Sequence, residues 1–152
     1  MNLRVLLGKL LVPSLYDRNQ NMTIVGHGID IIDLEDFERL LATSGPHLLA
    51  RSFTDQEVST SGSGLKRAAR LAARYAAKEA VLKSLGTGWV TGISWKDIEV
   101  VTSDVGAPSI RVAGQVARLA ETRGVMHFHV SLSHSRRSVI ASVIAEGAPS
   151  IS

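Results

Sequence analysis

The hydrophobic period changes several times along this chain, and each change marks an element. Thr23 to Ile32 (TIVGHGIDII) is β-branched and predicts a strand, with close backbone approach at Gly26 and Gly28. Leu34, Phe37, Leu40 and Leu41 recur at helical spacing behind Asp33, a suitable N-cap, and Pro46 is expected to end that helix. A short helical turn follows over His47 to Arg51, and Thr54-Asp55-Gln56-Glu57 has the form of a capping box opening another. After a Ser/Gly loop over Ser59 to Gly64, Leu65 to Leu85 reads as the longest helix, free of Pro and Gly and stopped by Gly86. Gly86 to Ser94 is a loop. Asp97 to Thr102 and Pro108 to Val112 predict strands around an Asp-Val-Gly-Ala turn, and Ala113 to Thr122 an amphipathic helix. His127 to Leu132 and Ser138 to Ala145 predict closing strands joined at Ser135-Arg136-Arg137. This order predicts an α+β fold, an antiparallel sheet packed against one long helix.

Composition narrows the picture. The 152 residues suit one domain with one core, and 45% hydrophobic with 20% charged residues excludes wholesale disorder. The net charge of +3 suits an acidic or phosphorylated partner without arguing for nucleic acid. Cysteine is absent, which removes disulfides, cysteine-based zinc sites and thiol catalysis. Val5 to Val12 is apolar but short, broken by Lys9 and without a small-residue cleavage site, so neither a signal peptide nor a membrane span is expected. Residues 1–21 are expected to be an extension outside the fold, with the domain over 22–146 and a frayed tail over 147–152.

Candidate chemistry begins with Glu79. At about 100° per residue, Ala68, Ala72, Tyr75, Ala76, Leu82 and Lys83 fall within roughly 60° of it, which places a carboxylate amid the buried stripe. Such a group must be paired, protonated or metal-bound, and an i, i+4 pair with Lys83 at a helix edge is the plainer reading. Asp30 is a second carboxylate in an apolar run. Two carboxylates from separate elements are what Mg²⁺ accepts when substrate phosphates complete its shell, although an aspartate at a strand end is more often a cap. His134 ends an alternating strand, and His129 lies within it; either alone reads as structural. Arg67, Arg70, Arg74 and Lys78 share one side of the long helix, predicting a solvated basic face, with a phosphate clamp or an acidic-protein dock as alternatives.

Gly28-Ile29-Asp30, Phe53-Thr54 with Glu57, Arg74-Tyr75-Ala76-Ala77-Lys78-Glu79-Ala80 with Lys83 and Gly86-Thr87-Gly88, Asp97-Ile98-Glu99-Val100, Gly106-Ala107-Pro108 and Val130-Ser131-Leu132-Ser133-His134 occur in that order. The series resembles the holo-[acyl-carrier-protein] synthases, the small phosphopantetheinyl transferase family, over roughly Met22 to Glu146. The resemblance implies Mg²⁺ on Asp30 and Glu79, catalytic roles for Asp30, Glu79, Lys83 and His134, and coenzyme A bound by Arg74, Lys83, Gly86, Gly106, Pro108, Ser133 and His134. It also implies a cytoplasmic homotrimer that moves 4′-phosphopantetheine from coenzyme A to a serine of apo-acyl carrier protein in fatty-acid biosynthesis, releasing 3′,5′-ADP, with no nucleic-acid or membrane partner. The family commonly has basic residues on the first helix to meet the carrier, whereas here Asp33 to Arg39 is strongly acidic. Docking is therefore expected on Arg39, Arg51 or another patch, and a carrier domain within a large fatty-acid synthase would fit.

Overall fold

The computed structural model describes residues 22–64, 66–88 and 90–148. Strands β1 (Thr23–Asp33), β4 (Val125–His134) and β5 (Ser138–Gly147) form an antiparallel sheet in the order β1-β5-β4, and β2 (Ile98–Thr102) and β3 (Pro108–Val112) form a separate antiparallel pair. The helices are α1 (Leu34–Ser52), α2 (Asp55–Thr60), α3 (Lys66–Ser84) and α4 (Gly114–Thr122), with a 3₁₀ turn at Trp95–Asp97. An antiparallel sheet against one long helix is the architecture observed, with the strands divided over two sheets.

The helix α3 is the centre of the molecule. Val139, Ala141, Val143 and Ala145 alternate inward along β5; Ala141 and Val143 join Ala76, Ala77, Ala80 and Val81 of α3 in one cluster, which Ile98, Val100 and Val116 close from β2 and α4. A second cluster joins Phe37 and Leu48 of α1 to Phe53, Leu71 and Ala72. Both sides of α3 are thus covered, which suits its alanine-rich sequence, since small side chains let backbones approach closely.

The approach is closest at the two glycines of β1. A Cβ on Gly28 would stand 2.6 Å from the Ser84 nitrogen and 2.9 Å from the Ala80 carbonyl carbon, and one on Gly26 would meet the Ser84 carbonyl. No side chain fits between β1 and α3 there, so the glycines hold Asp30 and the last turns of α3 in one fixed relation.

Three boundaries differ from the sequence reading. Pro46 does not end α1: the helix kinks at Ser44 (φ −132°, ψ 19°) and restarts, with Pro46 in the opening turn of the new segment, where its missing N–H is no loss. The α2 helix runs on to Thr60, two residues into the expected loop. Gly147, expected in the tail, is the last residue of β5 and pairs with Thr23 and Val125. Asp33 caps α1 through bonds from the Glu35 and Asp36 amides, as expected. The extension 1–21 and residues 149–152 lie outside the described residues.

Candidate active site

Asp30 leaves β1 with its side chain 16% exposed and accepts a 2.7 Å bond from the Lys83 ammonium, which also donates to the Ile29 carbonyl at 3.0 Å. Lys83 therefore turns toward β1, and the i, i+4 partnership expected with Glu79 is replaced by one between elements. One turn back on α3, Glu79 lines an open cleft of about 660 Å³ with Arg51, Tyr75, Ile93, Ser94 and Trp95. It is half-buried at the seam between the two covered sides of α3, not amid the core as its helical angle predicted. The prediction assumed a single apolar stripe, whereas α3 has two.

Tyr75 lies within reach of the charges of both carboxylates. Burial raises the pKa of its phenol, the charges of Glu79 and Asp30 raise it further, and Arg51 opposes them. Its ring stacks on Trp95 at 4.2 Å between centroids and meets Phe37 edge-on at 5.8 Å. The group is thus two carboxylates, an ammonium and a guanidinium around an aromatic wall. Among the described residues no three His, Cys, Asp or Glu side chains come together as a metal cage. Two oxygen ligands fit Mg²⁺, which takes one or two carboxylates and leaves its remaining positions to water and phosphate.

The basic side of α3 is the main departure from expectation. Arg70 is exposed, but Lys78 is fully buried and Arg74 is 5% exposed, because α2 and the start of β2 pack over that side. The Lys78 ammonium donates to Glu57 Oε2 at 2.7 Å, to the Ser52 carbonyl at 2.8 Å and to the Trp95 carbonyl at 3.0 Å. Burial lowers its pKa, and the Glu57 carboxylate pulls it back. Glu57 accepts in addition from the Val100 amide at 2.9 Å and the Thr54 amide at 2.9 Å. Arg74 donates to the Thr60 hydroxyl at 3.0 Å, and burial likewise lowers its pKa. Neither residue belongs to a solvated face, and the Arg74 guanidinium lies between α2 and α3. The sequence carried one signal for this: a capping-box glutamate is held by the Thr54 amide with acceptor capacity to spare, and here Oε2 takes the Lys78 ammonium as well while Oε1 takes the Val100 amide.

The other expected site residues lie apart. Leu132 and Asp30 flank Ala141 from opposite sides in the sheet, so β4 stands about two strand spacings, roughly 10 Å, from β1. His134 and Ser133, exposed at the end of β4, therefore cannot share a hydrogen bond with Asp30 in one chain. Gly106 (φ +85°) sits in the β2–β3 turn, Pro108 opens β3 opposite Thr102, and Gly86 (φ +62°) follows the end of α3. His129 pairs with Glu146 at 2.7 Å on the sheet's outer face.

A family model described as the 4′-phosphopantetheinyl transferase superfamily matches residues 26–143. The chain belongs to that superfamily. Holo-[acyl-carrier-protein] synthase of Vibrio vulnificus is 43% identical over 125 residues, 82% of this chain and 99% of that one, and that of Clavibacter michiganensis 45% over 124 residues, 82% and 97%. Among solved structures, the Neisseria meningitidis synthase aligns with a TM-score of 0.73 at 30% identity, covering 81% of this chain and 98% of its own. The Bacillus anthracis synthase in complex with CoA (3′,5′-ADP) aligns with a TM-score of 0.68 at 33% identity, covering 82% and 98%. The phosphopantetheinyl transferase fold thus spans the whole Gly26 to Val143 stretch that builds the cleft.

Proposed function

We propose that this chain is a holo-[acyl-carrier-protein] synthase, transferring 4′-phosphopantetheine from coenzyme A to a serine of an apo-acyl carrier protein, or of a carrier domain, in fatty-acid biosynthesis. The observation that carries the reading is the Asp30–Lys83 pair one helical turn from Glu79, which lines an open cleft, in a member of this superfamily. The relative solved with CoA (3′,5′-ADP) supports coenzyme A as donor. Mg²⁺ held by Asp30 and Glu79 would neutralise charge on the donor pyrophosphate. Lys83, half-exposed beside Asp30, is placed to follow the charge that grows on those oxygens as the bond breaks. Arg51, at the mouth of the same cleft, offers a second phosphate partner.

The enzyme is a homotrimer of the cytoplasm in this reading. The outer face of the sheet supports assembly with copies of itself: Ile24, Ile29 and Ile31 of β1 are 65%, 55% and 65% exposed, and Ile31 lies opposite the half-exposed Ile140. In this reading the Ser133 and His134 that serve a cleft come from a neighbouring copy, since in one chain they stand about two strand spacings from Asp30. No helix among the described residues is long and apolar enough to cross a membrane. The basic face of α3 read as a dock for an acidic protein loses its support with Arg74 and Lys78 buried.

Incubating the protein with coenzyme A, Mg²⁺ and a panel of apo-carriers tests the reading by carrier mass. A gain of one phosphopantetheine that vanishes with chelator is expected; no gain on any carrier would overturn it.

A further inference from the structure

The Glu57–Lys78 pair is the one fully buried ion pair among the described residues, and no step of the proposed transfer uses it. Both side chains are 0% exposed, and every bond of the ammonium ends on a different segment: the last residue of α1, the first turn of α2 and the 3₁₀ turn. Two of those segments supply the cleft. Ser52 follows Arg51, and Trp95 carries the ring stacked on Tyr75. Lys78 itself precedes Glu79 on α3, so one residue reaches into the core where the next reaches into the cleft. Asp97 holds the other end of the 3₁₀ turn, accepting from the Ser94 amide at 3.3 Å and the Gln115 amide at 3.1 Å.

We propose that Lys78, balanced by Glu57, is a positioning residue for the donor cleft: its ammonium fixes Arg51, Trp95 and the α3 turn bearing Glu79 in register with one another. A buried ion pair is weak evidence for stability, since an apolar pair of equal volume is often as stable. Three convergent carbonyl and carboxylate acceptors, however, specify one arrangement of three segments that an apolar side chain would leave free to slide. A guanidinium is too large and too planar to replace an ammonium among them.

The inference rests on the cleft being the donor site, and its test separates the two. Lys78→Met leaves Glu57 buried and unpaired and is expected to destabilise, so the measurement is made on Glu57→Gln/Lys78→Met, which buries no net charge. A Trp89→Phe background makes Trp95 the sole tryptophan. Expected for the folded double variant are loss of the near-ultraviolet circular dichroism of the Tyr75–Trp95 stack, greater acrylamide quenching of Trp95, and a rise of about tenfold in KM for coenzyme A. Lys78→Arg should not restore KM. A role in stability alone would lower the active fraction, and so kcat, leaving KM and the stack signal unchanged. That result in the folded double variant would overturn the proposal. A wild-type protein that neither binds nor uses coenzyme A would instead sink the functional reading, and the Trp95 signals alone would then decide whether Lys78 positions this wall.

Discussion

Gly28→Ala is a one-carbon change with a large expected effect. The new Cβ would stand 2.6 Å from the Ser84 nitrogen and 2.9 Å from the Ala80 carbonyl carbon, with the Ala80 oxygen nearer still. All three are backbone atoms of α3 and cannot rotate away. Ordinary contact begins near 3.4 Å, and the Ala80 oxygen stands at 1.9 Å, so α3 must retreat from β1 by roughly 1.5 Å. Overpacking of this kind costs about 1–3 kcal/mol, and the loss of close packing along α3 puts this site at the upper end. For a domain of this size about 3 kcal/mol corresponds to a melting temperature lower by roughly 10 °C. The same retreat would stretch the 2.7 Å Asp30–Lys83 contact toward 4 Å, and misplacement by about 1 Å can cost up to 100-fold in rate. Gly45→Ala is the control: nothing lies within 4 Å of its Cβ and it sits in α1, so a change between neutral and about +1 kcal/mol is expected. Calorimetry with a carrier-modification assay reads both quantities. A Gly28→Ala protein that melts within 2–3 °C of wild type and turns over normally would show that β1 and α3 are not locked as described.

Four further outcomes are expected. Asp30→Ala or Glu79→Ala should abolish transfer at saturating Mg²⁺ while circular dichroism stays native; near-normal turnover in either would remove it from the metal site. Lys83→Ala should lower kcat more than it raises KM, and an effect confined to KM would contradict its transition-state role. Arg74→Ala should cost about 1–3 kcal/mol in a denaturant melt, because a buried donor to Thr60 is lost; KM should change alike for coenzyme A and 3′-dephospho-coenzyme A, and a penalty specific to coenzyme A would return this arginine to the 3′-phosphate. Tyr75 should ionise above the ordinary tyrosine range: its folded pKa is raised, so its contribution to stability is complete below about pH 10 and is lost as pH climbs through the folded value. Phenolate absorbance should show that Glu79→Gln brings the titration down, and an unmoved curve would mean the two side chains do not face one another.

Elements were legible where local chemistry sets them. The Thr54–Glu57 box, the Asp33 cap and the stop at Gly86 depend on neighbours in sequence, and each stands where the pattern puts it. The glycines of β1 were legible too, because a strand spends glycine only where another backbone comes close. Faces of α3 were not. A helical wheel ranks sides by hydrophobicity, and a helix packed on two sides has no single polar face for Lys78 to occupy. Its burial depends on Glu57, Ser52 and Trp95 arriving from elsewhere in the chain, which spacing along α3 cannot reveal. The Asp30–Lys83 pair joins residues far apart in sequence for the same reason. The strand signal of β1 and β5 also did not say that their outer face would be isoleucine-rich and uncovered by the chain's own elements.

The break at Ser44 divides the labour of α1. Its second half carries Arg51 and Ser52 and is pinned to the core through Lys78, whereas its first half is held by Asp33, Phe37 and the bond from the Leu34 amide to the Arg137 carbonyl. Arg39 on that first half is bound by Glu35 at 3.3 Å and Asp36 at 3.1 Å, which leaves the face it shares with Glu38 net acidic. The first half meets the cleft wall through the buried Phe37, whose ring lies edge-on to Tyr75 at 5.8 Å, and not through its charged side chains. Substitutions at the exposed Glu35, Asp36, Glu38 and Arg39 that leave Phe37 in place are accordingly expected to change what this face can dock while leaving the cleft beyond Ser44 as it is.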